Sequence, residues 1–252
     1  MDLQLTGTRV LVTGGTRGIG RAVVEAFLDE GAVVGFCARG SDEVTATEAA
    51  LRGRGTASGT ALDVGDADAL AAWVERSAET FGGLDVVVAN VSALAIPDTE
   101  ENWQASLNVD LMHTVRLVKA AMPHLERSEA ASIIAISSVS GRESDFASGP
   151  YGTAKTAIVG YLHGLAMQLA PQGIRANTVS PGNTYFEGGV WAGIETGDPD
   201  LFRTAVELNP TGHMGTPEEV AGPVVFLASR RSRRVSGTNL VVDGALTRGV
   251  QL

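Results

Sequence analysis

The sequence predicts an α/β fold: one doubly wound sheet of about seven parallel strands with helices on both faces. Short apolar segments rich in β-branched residues alternate with longer helical segments along the chain. This alternation is typical of right-handed β–α–β units, which build a parallel sheet. The strand segments are continuous apolar runs, as expected for strands that helices cover on both faces. The length suits one domain, so we expect residues 1–252 to form a single domain around one sheet.

Seven segments are predicted as strands and six as helices. The predicted strands are residues 9–13, 33–38, 57–63, 84–90, 131–137, 174–180 and 238–243. The predicted helices are residues 19–30, 42–52, 66–81, 100–126, 150–170 and 217–229. The start of the last helix has the most specific signal. Thr216 is a good N-cap, Pro217 suits the first helical position, and Glu219 completes a capping box.

One segment interrupts the alternation of strands and helices. Residues 183–215 are rich in glycine and include the aromatic residues Tyr185, Phe186 and Trp191. A loop of this length in a compact domain is usually a lid or a binding loop. We therefore expect residues 183–215 to form a substrate-binding lid.

Composition and charge argue against several functional classes. The chain is 44% hydrophobic with a formal net charge of -10, so it lacks the basic footprint of a nucleic-acid-binding protein. No apolar run reaches the length of a membrane span, and no secretion signal is apparent, so no membrane association is expected. Cys37, the single cysteine, lies in an apolar run and is expected to be a small buried hydrophobe. A reducing, cytoplasmic location follows most simply.

Two other features receive no functional role. The four histidines, His113, His124, His163 and His213, have no ligand spacing. We therefore expect no metal site and assign them to helix surfaces or loops. The basic stretch SRRSRR at 229–234 is interpreted as a solvated loop before the last strand.

A glycine-rich turn joins the first predicted strand to the first predicted helix. The stretch VLVTGGTRGIGR has Gly14, Gly18 and Gly20 in the spacing G-x-x-x-G-x-G. Glycines let the backbone turn tightly and approach a pyrophosphate, and the N-terminus of the following helix favours the negative charge. No Gly-Lys-Ser/Thr follows, which argues against a nucleoside triphosphatase loop. In this position the turn predicts a Rossmann-type dinucleotide-binding site.

The end of the second strand indicates which dinucleotide is bound. An acidic residue there would bind the ribose 2′-hydroxyl of NAD, and a basic residue would accept the 2′-phosphate of NADP. In this chain Ala38 is followed by Arg39, and Arg17 in the glycine turn can reach the same phosphate. Two guanidinium groups without a competing carboxylate favour NADP(H) over NAD(H).

Tyr151 and Lys155 lie four residues apart in the predicted helix over 150–170. At this spacing both side chains lie on one face, one turn apart. A free phenol has a pKa of about 10, so it exchanges protons poorly at neutral pH. A nearby cation stabilises the phenolate, and burial opposes this effect. Beside a redox cofactor the pair is a candidate for proton transfer.

These motifs resemble the short-chain dehydrogenase/reductase family over essentially the whole chain. TGGTRGIG is similar to the family's cofactor loop, and SLNVDL, ISSVSG and YGTAK supply its asparagine, serine and Tyr-x-x-x-Lys pair. The resemblance implies four catalytic residues: Asn108, Ser138, Tyr151 and Lys155. Together with the glycine turn and the two arginines, the resemblance also implies a set of cofactor-binding residues. They are Gly14, Thr16, Arg17, Gly18, Ile19, Gly20, Arg39, Asp63, Val64, Asn90, Tyr151, Lys155, Pro181, Gly182 and Thr184.

The family pattern also implies a role for each catalytic residue. Tyr151 would exchange a proton with the substrate oxygen while hydride moves to or from the nicotinamide. Lys155 would also bind the ribose hydroxyls, and Ser138 would bind the substrate oxygen. Asn108 resembles the residue that holds a water supplying protons to the lysine. One departure is Ser92, which replaces a family glycine and whose Cβ would crowd the cofactor ribose.

The resemblance implies an oxidoreductase that transfers hydride between NADP(H) and a ketone or secondary alcohol of a small molecule. One alternative is a 3-oxoacyl-[acyl-carrier-protein] reductase. Members with that activity have basic residues before strands five and six, where this chain has Glu129 and Gln172. The charge of -10 would also slow the approach of an acidic carrier. A second alternative is a non-catalytic NADP(H)-binding regulatory protein.

The same resemblance implies that the chain forms a homotetramer. The two longest predicted helices, over 100–126 and 150–170, resemble those that pair subunits in the family. The apolar ending VQL at 250–252 follows the last predicted strand. Apolar surface of this extent on a monomer would favour aggregation.

Overall fold

The structure is a computed structural model that describes residues 2–249. Seven parallel strands form one sheet in the order β3-β2-β1-β4-β5-β6-β7. The strands are β1 (Arg9–Thr13), β2 (Val33–Ala38), β3 (Thr56–Ala61), β4 (Val86–Ala89), β5 (Ser132–Ile136), β6 (Arg175–Pro181) and β7 (Asn239–Val242). This confirms the predicted fold class and the seven parallel strands.

Nine α-helices are described between residues 2 and 249. They are α1 (Gly18–Asp29), α2 (Ser41–Ala50), α3 (Ala67–Phe81), α4 (Glu100–Ala105), α5 (His113–Leu125), α6 (Pro150–Leu169), α7 (Val190–Gly197), α8 (Pro199–Glu207) and α9 (Pro217–Ala228). The predicted capping box of α9 is confirmed, with Thr216 and Glu219 bonded reciprocally.

Two apolar cores cover the two faces of the sheet. On one face, side chains of α1 and α9 such as Phe27 and Val224 pack on the central strands. On the other face, Trp73 of α3, Leu117 of α5 and Ile158 of α6 do so. Both faces are therefore covered, which explains why the strands are continuous apolar runs.

The helix predicted over 100–126 is not one continuous α-helix. A π-helical segment, Ser106–Met112, lies between α4 and α5 and is called the π segment below. Its apolar spacing also fits an α-helix, so the wider turn is not visible in the sequence. π-helical turns are often found at functional sites. The π segment packs against α6, the helix that carries Tyr151 and Lys155.

Residues 183–215, predicted as a lid, are called the lid segment below. This segment is not an irregular loop throughout, because it contains α7 and α8. The Asp198 carboxylate accepts a hydrogen bond from the Leu201 N–H at 3.0 Å and begins α8. Trp191, Ala205 and Met214 form a small core inside the segment. Its two ends are joined, because the Gly215 N–H donates to the Asn183 carbonyl at 2.8 Å.

The prediction for Cys37 is confirmed, whereas the prediction for two of the histidines is wrong. Cys37 is buried in β2 as expected, and burial raises its pKa to about 12. The surface or loop assignment is wrong for His113 and His124, which are buried on α5.

Within residues 2–249, no helix is long and apolar enough to cross a membrane. The same residues include no cluster of three His, Cys, Asp or Glu side chains suited to a metal ion.

Candidate active site

The strand order places the candidate site at the carboxyl ends of β1 and β4. From β1 the chain proceeds through β2 to β3 on one side, and from β4 through β5, β6 and β7 on the other. Ligands of open parallel sheets bind in the crevice at such a reversal of strand order. The glycine turn follows β1, and the Ser138 segment follows β5. Sequence motifs that are far apart in the chain therefore meet at one edge of the sheet.

The glycine turn has a shape that only glycine allows at three positions. Gly14 and Gly18 have φ angles of +71° and +52°, in the left-handed region. A Cβ on Gly20 would overlap the carbonyl oxygen of Gly14. The N–H groups of Gly14 and Gly15 both donate to the Cys37 carbonyl, at 2.8 and 3.1 Å, and fix the turn to the end of β2.

Asn90, at the end of β4, holds the same turn from the other side. Its side-chain Nδ2 donates to the carbonyl oxygens of Thr13 at 3.0 Å and Gly14 at 3.2 Å. Its backbone N–H donates to the Thr13 hydroxyl at 3.0 Å. The amide of Asn90 is therefore used to shape the turn that would receive the cofactor.

The turn and the start of α1 fit a dinucleotide pyrophosphate. Arg17 is the N-cap residue of α1, and no side chain of the described part of the chain caps this N-terminus. The first-turn N–H groups therefore remain for an anion, and the helix dipole favours a negative charge there. Thr16 lies in the turn, and Ile19 packs on the core below it.

The two arginines chosen for the 2′-phosphate lie on the surface. Arg39 is exposed directly after β2, and Arg17 is exposed in the turn. Arg17 Nη1 donates to the Gly188 carbonyl of the lid segment at 3.4 Å. Asp63 accepts a hydrogen bond from the Gly65 N–H at 2.8 Å, which turns the chain after β3 and buries Val64.

The opposite wall of the crevice begins at the end of β6. Pro181 is the last residue of β6, and Gly182 packs on Asp243, where an added Cβ would lie 2.8 Å from the Asp243 Cβ. Thr184 donates its hydroxyl to the Gly182 carbonyl at 3.1 Å. Ser92, the departure after β4, accepts a hydrogen bond from the Leu94 N–H at 3.0 Å and so turns the chain.

Tyr151 and Lys155 lie on one face of α6, as the spacing predicts. Lys155 Nζ is 5.5 Å from the centroid of the Tyr151 ring. Lys155 is almost completely buried, and Nζ donates to the Ile136 carbonyl of β5 at 3.0 Å. Ser137 donates its hydroxyl to the Lys155 carbonyl at 2.9 Å, which fixes α6 to the end of β5.

Ser138 lies directly after β5, next to this junction. It is buried, and its Oγ accepts a hydrogen bond from the Ser140 N–H at 3.1 Å at the start of a short 3-10 turn. Its hydroxyl proton therefore remains available as a donor to a substrate oxygen. Ser138 therefore lies beside the junction of β5 and α6 at which Lys155 is anchored.

The structure does not place Asn108 at the lysine. The Asn108 carbonyl Oδ1 accepts a hydrogen bond from Arg116 Nη1 at 2.7 Å, and its Nδ2 faces Gly65. The side chain facing Lys155 from the π segment belongs to Asp110, whose Oδ1 is 3.1 Å from Lys155 Nζ. The sequence analysis missed Asp110. A carboxylate within the apolar run around it was the available signal.

His113 is buried between β1 and the π segment. Its Nδ1 lies 3.0 Å from the Val109 carbonyl and its Nε2 lies 3.0 Å from the Thr13 hydroxyl. Burial, the largest effect, lowers its pKa to about 4, so the ring is neutral at pH 7. The carbonyl can only accept, so Nδ1 carries the proton and Nε2 accepts from Thr13.

Comparison with known proteins identifies the family of this chain. The family profile described as "Enoyl-(Acyl carrier protein) reductase" matches residues 14–247. Isoepoxydon dehydrogenase of Penicillium expansum is 43% identical over 98% of this chain and 97% of its own length. The chain belongs to the short-chain dehydrogenase/reductase family. Family membership and these relatives show an oxidoreductase that transfers hydride between a nicotinamide cofactor and an alcohol or ketone.

Two solved structures have the same fold. A short-chain oxidoreductase of Pseudomonas aeruginosa PAO1, bound to NADPH and described as containing an atypical catalytic centre, superposes with a TM-score of 0.89. It is 30% identical and covers 97% of this chain and 99% of its own. L-Sorbose reductase of Gluconobacter frateurii, complexed with NADPH and L-sorbose, superposes with a TM-score of 0.91 at 25% identity. That alignment covers 99% of this chain and the whole of the other.

Proposed function

We propose that this short-chain dehydrogenase/reductase uses NADP(H) to interconvert a ketone and a secondary alcohol on a small molecule. The observation that carries the proposal is the pair Tyr151–Lys155 on α6. The lysine is buried 5.5 Å from the phenol ring and anchored to β5, where Ser138 follows. A buried ammonium beside a phenol at the edge of a dinucleotide crevice has a direct use in proton transfer.

Tyr151, Ser138 and Lys155 have different roles in the proposed reaction. A bound nicotinamide supplies or accepts the hydride. In reduction, the Tyr151 hydroxyl gives its proton to the carbonyl oxygen as the carbon receives hydride. In oxidation, the Tyr151 phenolate accepts the proton of the alcohol. Ser138 donates to the substrate oxygen, and Lys155 stabilises the phenolate and would bind the ribose hydroxyls.

The preference for NADP(H) over NAD(H) rests on Arg17 and Arg39. Both are exposed next to the ends of β1 and β2, and Ala38 leaves this edge without the acid that binds a free 2′-hydroxyl. The two compared structures contain NADPH, which supports the same choice. Gly14, Gly18, Gly20 and the uncapped start of α1 would hold the pyrophosphate.

The lid segment supports a small substrate. Trp191 of α7 contacts Phe146, which precedes α6, with ring centroids 5.8 Å apart in an edge-to-face arrangement. Tyr185 and Phe202 form a second such pair at 5.9 Å. These pairs place aromatic side chains within the lid segment and against the residues that precede α6. The relatives named for isoepoxydon and L-sorbose act on small molecules of this kind.

We also propose that the chain works as a homotetramer. Apolar side chains are exposed on the helices implicated by the sequence: Leu107 at 44% and Met112 at 38% in the π segment, and Met167 at 73% on α6. Such residues suit contacts between subunits. The VQL ending lies outside the described residues. A cytoplasmic location remains a prediction from the single, buried Cys37.

A substrate panel with both cofactors tests the proposed function. The panel contains isoepoxydon, L-sorbose, simple cyclic ketones and a 3-oxoacyl chain on acyl carrier protein, and turnover is followed by nicotinamide absorbance. We expect turnover of at least one free ketone with NADPH and little with the carrier-bound chain. Exclusive use of the carrier-bound chain would favour the acyl-carrier alternative. NADPH binding without turnover on any compound would favour the regulatory alternative.

A further inference from the structure

Asp110 is a buried carboxylate to which the mechanism above assigns no role. It lies in the π segment and its side chain is 0% exposed. Oδ2 accepts a hydrogen bond from the Ala93 N–H at 3.1 Å. Oδ1 lies 3.1 Å from Lys155 Nζ but has no hydrogen-bond donor among the described residues. Asp110 and Lys155 therefore form a close ion pair whose angles are not those of a hydrogen bond.

The position of the ammonium is set by two contacts on different elements. Lys155 Nζ donates to the Ile136 carbonyl of β5 and faces the Asp110 carboxylate of the π segment. An ammonium has three N–H donors. One donor is used by the Ile136 carbonyl, and the other two remain for groups on the side where Tyr151 and the cofactor ribose would lie. The attraction of the Asp110 carboxylate holds the ammonium at this position.

Few other charges face this pair. Tyr151 lies on α6 one turn before Lys155, and His113 and Arg116 lie on α5. His113 is neutral above about pH 4, because burial lowers its pKa. Arg116 is engaged with Asn108. The residues that approach from β5, Ser137 and Ser138, are neutral. Among residues 2–249, Asp110 is the carboxylate that forms an ion pair with Lys155.

We propose that Asp110 is a positioning residue for Lys155 that sets the pH range of the reaction. Its carboxylate keeps Lys155 protonated and offsets part of the attraction between the ammonium and a Tyr151 phenolate. Tyr151 then keeps its proton to higher pH than it would beside an unopposed lysine. This favours Tyr151 as a proton donor in ketone reduction at neutral pH. The kinetic part of the inference rests on the proposed function.

The test compares Asp110→Asn with the wild type by tyrosinate absorbance in the near ultraviolet. The chain has three tyrosines. Burial raises the pKa of Tyr161, and the hydrogen bond to Glu195 raises the pKa of Tyr185, so both ionise late. We expect the first tyrosinate signal to appear at lower pH in Asp110→Asn, by about one unit. This early signal should be absent from Asp110→Asn/Tyr151→Phe.

Asp29→Asn is the matched control. It makes the same chemical change at an exposed carboxylate. Asp29 is the last residue of α1 and forms an ion pair with Arg54. Its tyrosinate titration should match the wild type. An unchanged titration in Asp110→Asn, or a shift to higher pH, would overturn the proposal.

A kinetic readout separates this inference from the proposed function. In Asp110→Asn, the pH at half-maximal alcohol oxidation should fall by the same amount as the tyrosinate signal. If the wild type turns over a ketone but neither pH value moves, the role of Asp110 is wrong and the proposed function stands. If the tyrosinate signal moves but no substrate is turned over, the proposed function is wrong and the electrostatic pairing stands.

A second variant tests the pair through stability. Lys155→Met leaves Asp110 buried without its cation, which should lower the melting temperature. Protonation discharges the carboxylate, so we expect this deficit to shrink as the pH falls from 7 to about 4.5. A deficit that stays constant over this range would contradict a charge pairing between Asp110 and Lys155, whether or not Asp110→Asn folds.

Discussion

The Phe186 ring of the lid segment lies directly on Gly18 of the glycine turn. A Cβ built on Gly18 would lie 2.5 Å from Phe186 Cζ. Two residues further on, the Gly188 carbonyl accepts from Arg17 Nη1 at 3.4 Å. The lid segment and the candidate pyrophosphate site are therefore in contact, and a cofactor and the lid should influence each other.

We expect Phe186→Ala to release the cofactor faster, because the lid loses its apolar contact with the turn that holds the pyrophosphate. The affinity for NADPH should fall by about tenfold, mainly through the dissociation rate. Stopped-flow displacement of NADPH measures this rate. Phe226→Ala is the control, since it removes a partly exposed ring near the C-terminal end of α9. Equal dissociation rates in both variants and the wild type would show that Phe186 does not retain the cofactor.

Arg39→Ala tests the cofactor preference. Loss of a charge-assisted contact to the 2′-phosphate should weaken NADPH binding by about one to two decades and leave NADH binding nearly unchanged. Arg52→Ala is the matched control, because it removes an exposed arginine after the far end of α2. Calorimetric titration of both cofactors into the three proteins gives the affinities. Equally tight binding of NADH and NADPH by the wild type would refute the assignment.

We expect His113 to make the free energy of unfolding depend on pH. Its folded pKa of about 4 lies below its ordinary value of 6.5, so the unfolded chain takes up the proton first as the pH falls. Stability is therefore lost between about pH 6.5 and pH 4. At pH 4.5 the loss from this residue should be about 2.5 kcal/mol. Urea unfolding at pH 7 and 4.5 measures it.

The contribution of His113 to acid stability is isolated by comparing the wild type with His113→Gln. The amide of this variant can still donate and accept hydrogen bonds but does not titrate. This variant should lose less stability than the wild type over the same pH interval. His163→Gln changes an exposed histidine on α6 and should behave like the wild type. Parallel pH curves for wild type and His113→Gln would mean that the buried ring does not control acid stability.

The sheet, the glycine turn and the Tyr151–Lys155 pair were predictable because each depends on local pattern. Apolar runs define the strands, the turn needs glycine at fixed positions, and a spacing of four places two residues on one helix face. The helices of the lid segment were missed because its glycines and prolines are typical of loops, whereas α7 and α8 depend on the Asp198 cap and the Trp191 core.

The choice between Asn108 and Asp110 was beyond the sequence pattern for a geometric reason. The π segment, whose turns are wider than those of an α-helix, packs against α6. The family motif gave the asparagine by resemblance, but tertiary packing brings the carboxylate to the lysine. Burial of the neighbouring His113 was missed for a related reason, since its partner Thr13 lies 100 residues away in the chain.

Tyr151→Phe tests the central claim most directly. The change keeps the ring and removes only the hydroxyl, so folding and NADPH binding should survive. With a substrate found in the panel, we expect turnover to fall by at least about a hundredfold, the lower end of general acid–base contributions. Lys155→Ala should lower turnover and also weaken NADPH, because the ribose contact is lost. A Tyr151→Phe enzyme that melts like the wild type, binds NADPH and keeps near-normal turnover would contradict proton transfer by Tyr151.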